Sequence, residues 1–193
     1  MNNLNPDNAR IYGGDEDAVW LAPLGTKLPT TIDEALDPAF ECVGWLHTDG
    51  ITETATGSAD KKRGHQGNAV VRTIVTEGGT TYGFTALETK AMTQSLRYDE
   101  KEVTVTDGVR HTRRGPGQKV SRRAAVLEWF DADNDNVKER LAIEVFEIVP
   151  TGDRTMTNAD IAGYPMSGEI IGDYDHWTND VDSDNDEDDE SGN

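Results

Sequence analysis

The acidic segment DADNDNVKERLA has the residue types and spacing that come nearest to a metal site. Asp131, Asp133 and Asp135 occupy alternate positions, as the first oxygen ligands of an EF-hand calcium loop do. That loop also needs glycine at its sixth position and glutamate at its twelfth, where this segment has Asn136 and Ala142. Since Asp and Asn are typical of tight turns, the segment predicts a hairpin turn in preference to a calcium site.

Residues that could support catalysis or cofactor binding are few and scattered. Cys42 is the only cysteine, so neither an internal disulfide nor a CxxC redox centre can form. The glycine-containing segments at 13–14 and 115–119 lack the spacing of a phosphate loop, and no GxSxG sequence is present. Neither HxH nor HExxH spacing relates the four histidines, which are His47, His65, His111 and His176. We therefore predict no catalytic residue, no cofactor and no metal site, and an enzyme is the least favoured class.

Charge is distributed unevenly along the chain. Acidic residues outnumber basic residues 37 to 18, a formal net charge of −19 that disfavours general affinity for nucleic acid. Residues 179–193 contain eight acidic residues and no basic one. Half of the bases lie in two short segments: Lys61, Lys62 and Arg63, then Arg110, Arg113, Arg114, Lys119, Arg122 and Arg123. We predict that the first six contact acidic surface on another copy of the chain; solvated loop charges are the alternative.

The first 68 residues predict an arm, two strands, a helical turn and a loop. Residues 1–16 are polar and Asn-rich, which favours an arm. AVWLAPLG predicts the first strand, and TIDEALDPAF predicts a helical turn capped by Thr31 or Asp33. ITETATGS alternates as strands do, and the basic, glycine-punctuated residues 59–68 after it predict a flexible loop.

Three hairpins and one helix account for most of the remaining chain. In NAVVRTIVTEGGTTYGFTALE two β-rich runs flank Gly78-Gly79, which suits a tight turn. Asp107-Gly108 predicts the turn of a second hairpin, and DADNDN connects a third, between VSRRAAVLEWF and VKERLAIEVFEIV. TKAMTQSLRY has apolar residues at helical spacing, with Thr89 as a cap. PMSGEIIGDYDHW predicts one final strand.

One short helix among about nine strands predicts an all-β fold, a β-sandwich or open barrel with long hairpins. Its expected parts are an N-terminal arm over 1–16, a β domain over 17–178 and an acidic tail over 179–193. No apolar run approaches the ~18 residues that a membrane span needs, so we expect no membrane association.

The order of these segments resembles a known family. DAVWLAPLGTKLP, FECVGWLHTDGITETATG and NAVVRTIVTEGGTTYGFTALETKAMTQSLRY, taken with the arm and the basic loop, are similar to the major tail tube protein of long-tailed siphophages. These segments are most similar in sequence to the tail tube proteins of phages of actinobacteria. The resemblance covers most of residues 12–172. The acidic tail is a departure, since some relatives have an immunoglobulin-like domain at that end.

The resemblance implies a structural virion protein of the tail, assembled in the host cytoplasm. Homohexameric rings would stack into a tube around a tape measure protein, with tail terminator and tail tip proteins at its ends, and phage DNA would pass through the lumen without specific binding. An acidic lumen suits this passage because it repels the DNA backbone. The longest predicted hairpins, 68–88 and 120–149, are the candidates for lining it. The arm and residues 59–68 are the candidates for contacts between rings.

Two other classes of protein stay open at this stage. Another virion oligomer, such as a head-decoration or head-to-tail joining protein, would associate without forming long tubes. A monomeric acidic β-sandwich binding module would remain monomeric and offer a shallow aromatic site. Self-assembly into tubes therefore discriminates among the three.

Overall fold

The computed structural model describes residues 9–179, apart from the side chains of Glu77, Asp135 and Asn136. Within that range the chain forms ten strands and one short helix. In chain order they are β1 (Ala18–Ala22), β2 (Glu41–Cys42), β3 (Leu46–Arg63), β4 (Val70–Ala86), α1 (Ala91–Arg97), β5 (Glu100–Thr106), β6 (Val109–Arg114), β7 (Ser121–Asp131), β8 (Asn134–Pro150), β9 (Tyr164–Ile170) and β10 (Tyr174–Thr178). The strand pairs are antiparallel. The predicted all-β fold with a short helix is confirmed.

Eight strands form one sheet whose two edge strands are neighbours in the chain. The hydrogen-bonded order is β2-β1-β7-β8-β9-β4-β3, and β10 also pairs with β8. In a flat sheet β2 and β3 would lie about 29 Å apart, because adjacent strands are separated by about 4.8 Å. The chain between Cys42 and Leu46 spans at most about 14 Å. The sheet must therefore curl round on itself, which produces an open barrel.

The inner face of the curled sheet encloses the main hydrophobic core. Five strands and α1 contribute to it: Val19, Leu21, Tyr82, Phe84, Leu96, Leu127, Ile143, Phe146, Ile148, Tyr164 and Met166. Along β9, buried positions alternate with less buried ones, as expected for a strand with one covered face. Gly168 lies on this face, and a Cβ atom there would stand 2.0 Å from the Phe146 ring. Glycine at this position lets the ring pack directly against the backbone of β9.

A smaller core lies on the other face of the sheet, under residues 23–40. Phe40 packs there with small residues of the strands, Ala22, Ala124, Val126 and Ala142. As a result β7 is buried on both faces between Ala124 and Glu128. No helix forms within 31–40, which has short turns and irregular backbone, although Thr31 Oγ1 accepts the backbone N–H of Glu34 at 3.1 Å as the predicted cap would. Glu34 accepts hydrogen bonds from the backbone N and Oγ1 of Thr30, and such local bonds compete with helix formation.

The hairpin turn predicted at Gly78-Gly79 is also wrong. Gly78 and Gly79 lie inside β4, where they oppose Gly57 and Thr56 of β3. Because β3 stays extended beyond Ser58, the glycine pair has partners across the ladder and no turn forms. The connection of this long hairpin is instead residues 64–69.

The same extension of β3 corrects two further predictions. The flexible loop predicted over 59–68 shortens to the connection at 64–69, and Lys61, Lys62 and Arg63 are strand residues. The predicted hairpin 68–88 is one strand of the β3–β4 hairpin.

Asp107 and Gly108 form the two-residue connection between β5 and β6. Their φ angles are +50° and +78°, the left-handed conformation that both central residues of a type I′ turn adopt. These two strands form a separate two-stranded sheet. The connection between β7 and β8 is likewise two residues, Ala132 and Asp133.

Two element boundaries differ from the prediction. The N-cap of α1 is Lys90 instead of Thr89, because Thr93 Oγ1 accepts the Lys90 backbone N–H at 2.9 Å. The single final strand is interrupted at 171–173, so that β9 and β10 follow one another along the same edge of β8.

Candidate functional site

The outer part of the β3–β4 hairpin projects from the sheet. β4 pairs with β9 only from Thr81 to Ala86, and beyond this point the two strands of the hairpin pair with each other alone in the described part of the chain. Residues 52–63 are all exposed, so both faces of the ribbon meet solvent. We call residues 53–80 the distal hairpin. At about 3.3 Å per residue, its β3 strand extends about 36 Å.

The distal hairpin exposes apolar side chains together with charge. Val71 and Val75 are 74% and 72% exposed, and Val70 and Ile74 are exposed beside them. An exposed cluster of β-branched residues on an unprotected edge strand is a ready site for association. The distal hairpin is therefore a candidate contact surface.

Three of the predicted contact residues lie at the end of β3. Lys62 pairs with Asp60, and Arg63 Nη1 donates to the carbonyl oxygen of Asn68 at 2.9 Å across the connection. Lys61 has no carboxylate partner within the described residues. The tip of the distal hairpin thus presents positive charge that is not neutralised within the subunit.

The other three predicted contact residues lie on β6, and two of them are engaged within the subunit. Arg110 Nη2 donates to Glu100 Oε2 at 2.9 Å. The Arg114 guanidinium lies 3.7 Å from the centre of the Tyr98 ring, and it also donates to Gln94. The Arg110 pair joins β6 to β5 within the hairpin, and the Arg114 contacts fasten the hairpin to α1 and the residue after it. The third residue, Arg113, is exposed and approaches Glu102 only at 3.9 Å.

A cleft of about 920 Å³ lies between the segment that precedes β1 and the start of β3. Residues 12–18 line one side and residues 45–51 the other. Three tryptophans line it, of which Trp20 and Trp129 are half-buried and Trp45 is 72% exposed. The volume is at the upper end of the range for binding pockets, and the lining is aromatic.

Carboxylates dominate the rim of the cleft. Asp15 and Glu16 are exposed, and within the described residues neither has a basic partner. Asp17 is half-buried, and burial raises its pKa, although the backbone N–H of Phe130 donates to it at 2.7 Å and partly opposes the shift. Asp49, on the opposite side, is exposed beside His47.

Each base that lines the cleft already has an acidic partner within the subunit. Lys90 pairs with Glu88 at 3.0 Å, and Lys138 pairs with Asp33 at 2.7 Å. The third base, Arg140, is buried against Glu128, which also accepts a hydrogen bond from Trp20 Nε1. The rim carboxylates are therefore left as net negative charge. Sequence reasoning missed this cleft, and the acidic run 15–17 just before β1 is its one sequence signal.

The N-terminal and C-terminal segments of the described chain meet at β8. Arg10 donates to Thr178 Oγ1 and to the carbonyl oxygen of Asn179 at 2.5 and 2.6 Å, and it pairs with Glu139. Tyr12 also donates to Glu139. The part of the predicted arm that is described, residues 9–16, is therefore attached to the β domain. Residues 1–8 of the arm and 180–193 of the acidic tail lie outside the described residues.

The structure assigns structural roles to residues that first suggested metal or thiol chemistry. Asp131 accepts the backbone N–H groups of Asp133 and Ile11 with its two carboxylate oxygens. Cys42 Sγ lies 3.3 Å from the Gly44 nitrogen, which donates to it. Within residues 9–179, no three ligating side chains converge on a metal site, and no helix is long and apolar enough to cross a membrane.

A family model described as "Phage tail tube protein" matches residues 3–179, a range that includes both the distal hairpin and the cleft. The chain belongs to this family. No curated protein matches the chain. Phage tail tube proteins are structural, non-enzymatic components of the virion tail, and they self-assemble into a tube with other tail proteins.

A tail tube protein must present surfaces to copies of itself. The distal hairpin and the cleft are exposed and not satisfied within the subunit, so both suit this role. Arg110 and Arg114 do not, because their partners lie in the same chain.

Proposed function

We propose that the subunit forms homohexameric rings that stack into the tail tube of a siphovirus-type phage, similar to those of actinobacterial phages, and that the genome is ejected through the lumen. The observation that carries this proposal is the distal hairpin. A long ribbon with exposed valines and a free edge is an aggregation hazard in a monomer. An ordered assembly covers that surface in a defined way.

Ring closure follows from the kind of contact that such a subunit makes. The distal hairpin has an unneutralised basic tip, so we expect it to contact a different, acidic surface on a neighbouring copy. A contact of this kind closes into a ring when the rotation per subunit divides a full turn, and otherwise it continues as a helix. Sixfold closure within a ring and repetition along the axis together yield a tube.

The lumen is best assigned to the β3–β4 hairpin. Of the two predicted lining hairpins, β7–β8 is the weaker candidate, because β7 is buried on both faces from Ala124 to Glu128. The β3–β4 hairpin has solvent on both faces instead. The net charge of −19 belongs to the whole subunit, whereas β3 and β4 carry four acidic and four basic residues. A lumen that DNA traverses without sticking therefore requires the basic tip to be covered by acidic surface of a neighbouring copy.

The partners of the tube follow from its function as a channel of set length. A tape measure protein occupies the lumen during assembly in the host cytoplasm, and tail terminator and tail tip proteins close the two ends. The predicted arm, 1–16, and Lys61–Arg63 are our candidates for contacts between rings.

The proposal is tested by negative-stain electron microscopy of the purified chain at rising concentration, with light scattering to report subunit number. We expect six-membered rings or hollow tubes. A monodisperse monomer at every concentration would count against the proposal and favour a monomeric binding module. Oligomers that never lengthen into tubes would favour a head-decoration or joining protein.

Charge reversal at the hairpin tip tests the ring contact separately. We expect a variant with Lys61→Glu, Lys62→Glu and Arg63→Glu to fold but not to form tubes, because its tip would repel an acidic neighbour. The matched control reverses Lys119, Arg122 and Arg123 and should still form tubes. Normal tubes from the tip variant would remove these three residues from the contact.

A further inference from the structure

The tail tube assignment leaves the aromatic, acidic cleft beside β1 without a role. The cleft is lined from four separate parts of the chain, around residues 12–20, 42–51, 88–90 and 128–140. Its rim carboxylates Asp15 and Glu16 are exposed and unpaired within the described residues, whereas its bases are neutralised inside the subunit. An occupant of this cleft should therefore carry positive charge.

The distal hairpin of the same chain has the complementary charge. Lys61 and Arg72 have no carboxylate partner in the described part of the chain, and Arg63 bonds only to a carbonyl oxygen. Opposite charge on two surfaces steers them together and fixes their register.

The apolar parts of the two surfaces also correspond. Trp45 projects into solvent at the cleft, with Trp20 and Trp129 half-buried nearby. The distal hairpin exposes Val71 beside Arg72 near its basic tip, and Val75 opposite Ala59 further from the tip. Aromatic side chains that become fully desolvated are typical anchors of protein interfaces, and β-branched side chains are suitable partners for them.

The hairpin that occupies the cleft must come from another copy. The cleft is lined by β3 residues only from Leu46 to Ile51, and beyond them β3 pairs with β4 out to Arg63, with register shifts after Ser58 and Lys62, so the tip lies at the far end of the ladder from the cleft. A subunit whose distal hairpin docks into a neighbour still has its own cleft free, and the neighbour still has its own distal hairpin free. This is the head-to-tail geometry that allows repetition along an axis.

We infer that the cleft between residues 12–18 and 45–51 is the receptor for the distal hairpin of a second copy of this chain. The inference rests on the proposed function, since it names the partner surface of the hairpin within the assembly. Asp15 and Glu16 bind the tip bases, and Trp45 packs against the exposed valines.

Charge-swapped variants of the full chain test this docking. The cleft variant carries Asp15→Lys and Glu16→Lys, and the tip variant carries Lys61→Glu and Arg63→Glu. Each variant alone should need a concentration about tenfold or more higher than the wild type to associate, measured by sedimentation velocity and electron microscopy. Mixed in equal amounts, the two should associate again, because each basic cleft meets an acidic tip and each acidic cleft meets a basic tip.

The control variant carries the same charge change as the cleft variant at exposed sites outside the cleft, Asp153→Lys and Asp175→Lys. It should associate like the wild type; equal loss in this control would overturn the docking. If the wild type forms tubes and the cleft variant forms them equally well, the docking is overturned and the tail tube function stands. The same conclusion follows if the wild type forms tubes but the cleft and tip variants do not rescue one another. A wild-type chain that never associates would overturn both.

Discussion

At the residue scale, the buried pair of Glu128 and Arg140 joins the sheet to the segment that covers it. Arg140 Nε donates to Glu128 Oε1 at 2.7 Å, and its Nη1 donates to the carbonyl oxygens of Thr31 and Glu34 at 3.1 and 2.7 Å. Glu128 also fixes Trp20, a residue of the cleft lining. The Arg140 guanidinium therefore bonds to the segment that covers the smaller core and, through Glu128, helps to fix Trp20 in the cleft lining.

Replacing Arg140 by methionine should lower the free energy of unfolding by about 3–5 kcal/mol, because it leaves Glu128 as an uncompensated buried charge. Urea denaturation followed by tryptophan fluorescence measures the loss. The control, Arg122→Met, removes the exposed pair with Glu147 and should cost less than about 1 kcal/mol. Adding Glu128→Gln to Arg140→Met should restore part of the stability; no recovery would contradict the charge argument.

Glu34 predicts a specific dependence of stability on pH. Its hydrogen bond from Lys27, together with those from Thr30, lowers its pKa to about 2 from an ordinary value of 4.5. Since a lowered pKa favours the folded state only while the group is ionised, this contribution is present above pH 4.5 and disappears towards pH 2. We expect Glu34→Gln to be less stable than the wild type at pH 7 and the difference to close as the pH falls. Thermal unfolding between pH 7 and pH 3 measures it. A constant difference, or an equal effect from Glu144→Gln on an exposed strand position, would refute this account.

At the element scale, Asp107-Gly108 forms the predicted hairpin turn and Gly78-Gly79 does not, and the difference has a physical reason. Asp107-Gly108 is flanked by runs that pair with each other, so a two-residue turn is the only way to join them. Gly78-Gly79 is flanked by equally good runs, but its partner lies upstream in β3. The local sequence indicates where a turn can form, but it does not indicate which strand a segment will pair with. For this reason the length of the β3–β4 hairpin could not be predicted.

The β5–β6 hairpin forms its own two-stranded sheet, and Arg114 connects it to Tyr98 and Gln94. Removing the Arg114 guanidinium from the Tyr98 ring, in Arg114→Ala, should loosen the hairpin by about 0.5–2 kcal/mol. Amide hydrogen exchange over 100–114 should then accelerate by about 2- to 30-fold, while exchange in β7 and β8 stays unchanged. Arg113→Ala is the matched control, because Arg113 is exposed and weakly paired. Equal acceleration in both variants would contradict a specific role for the stacking contact.

At the scale of the whole molecule, the sequence predicted the class of fold and the resemblance predicted the family, but not the cleft. Strand periodicity and turn residues are local properties of the sequence, so the all-β class of the fold could be predicted from them. The cleft combines Asp15, Trp45 and Trp129, which come together only after the sheet has curled. Similarly, the predicted Asp107-Gly108 hairpin places Arg110 near Glu100, but the strand pattern does not show that the two side chains form an ion pair.

Asn179, the residue after the predicted end of the β domain at 178, is bonded to that domain. Asn179 accepts hydrogen bonds from Arg10 and from the Lys138 backbone N–H. We expect a chain ending at Asn179 to form tubes like the full chain, which would make the acidic tail dispensable for assembly. A chain ending at Thr178 should lose about 1–3 kcal/mol, seen as a melting temperature lower by about 2–10 °C. Loss of tubes on removal of 180–193 would instead give the tail a part in assembly.

The pairing of β1 with β7 also determines when β1 can fold during synthesis of the chain. β1 pairs along its whole length with β7, from Ala18 opposite Glu128 to Ala22 opposite Ala124, about 100 residues downstream. A ribosome adds about 5–20 residues per second, so β1 waits about 5–20 seconds for its main partner to be translated. Until then Val19 and Leu21 cannot enter the core that later buries them. The cleft wall next to β1 is completed only after β7 has emerged, so a growing polypeptide on a polysome cannot yet capture its neighbours.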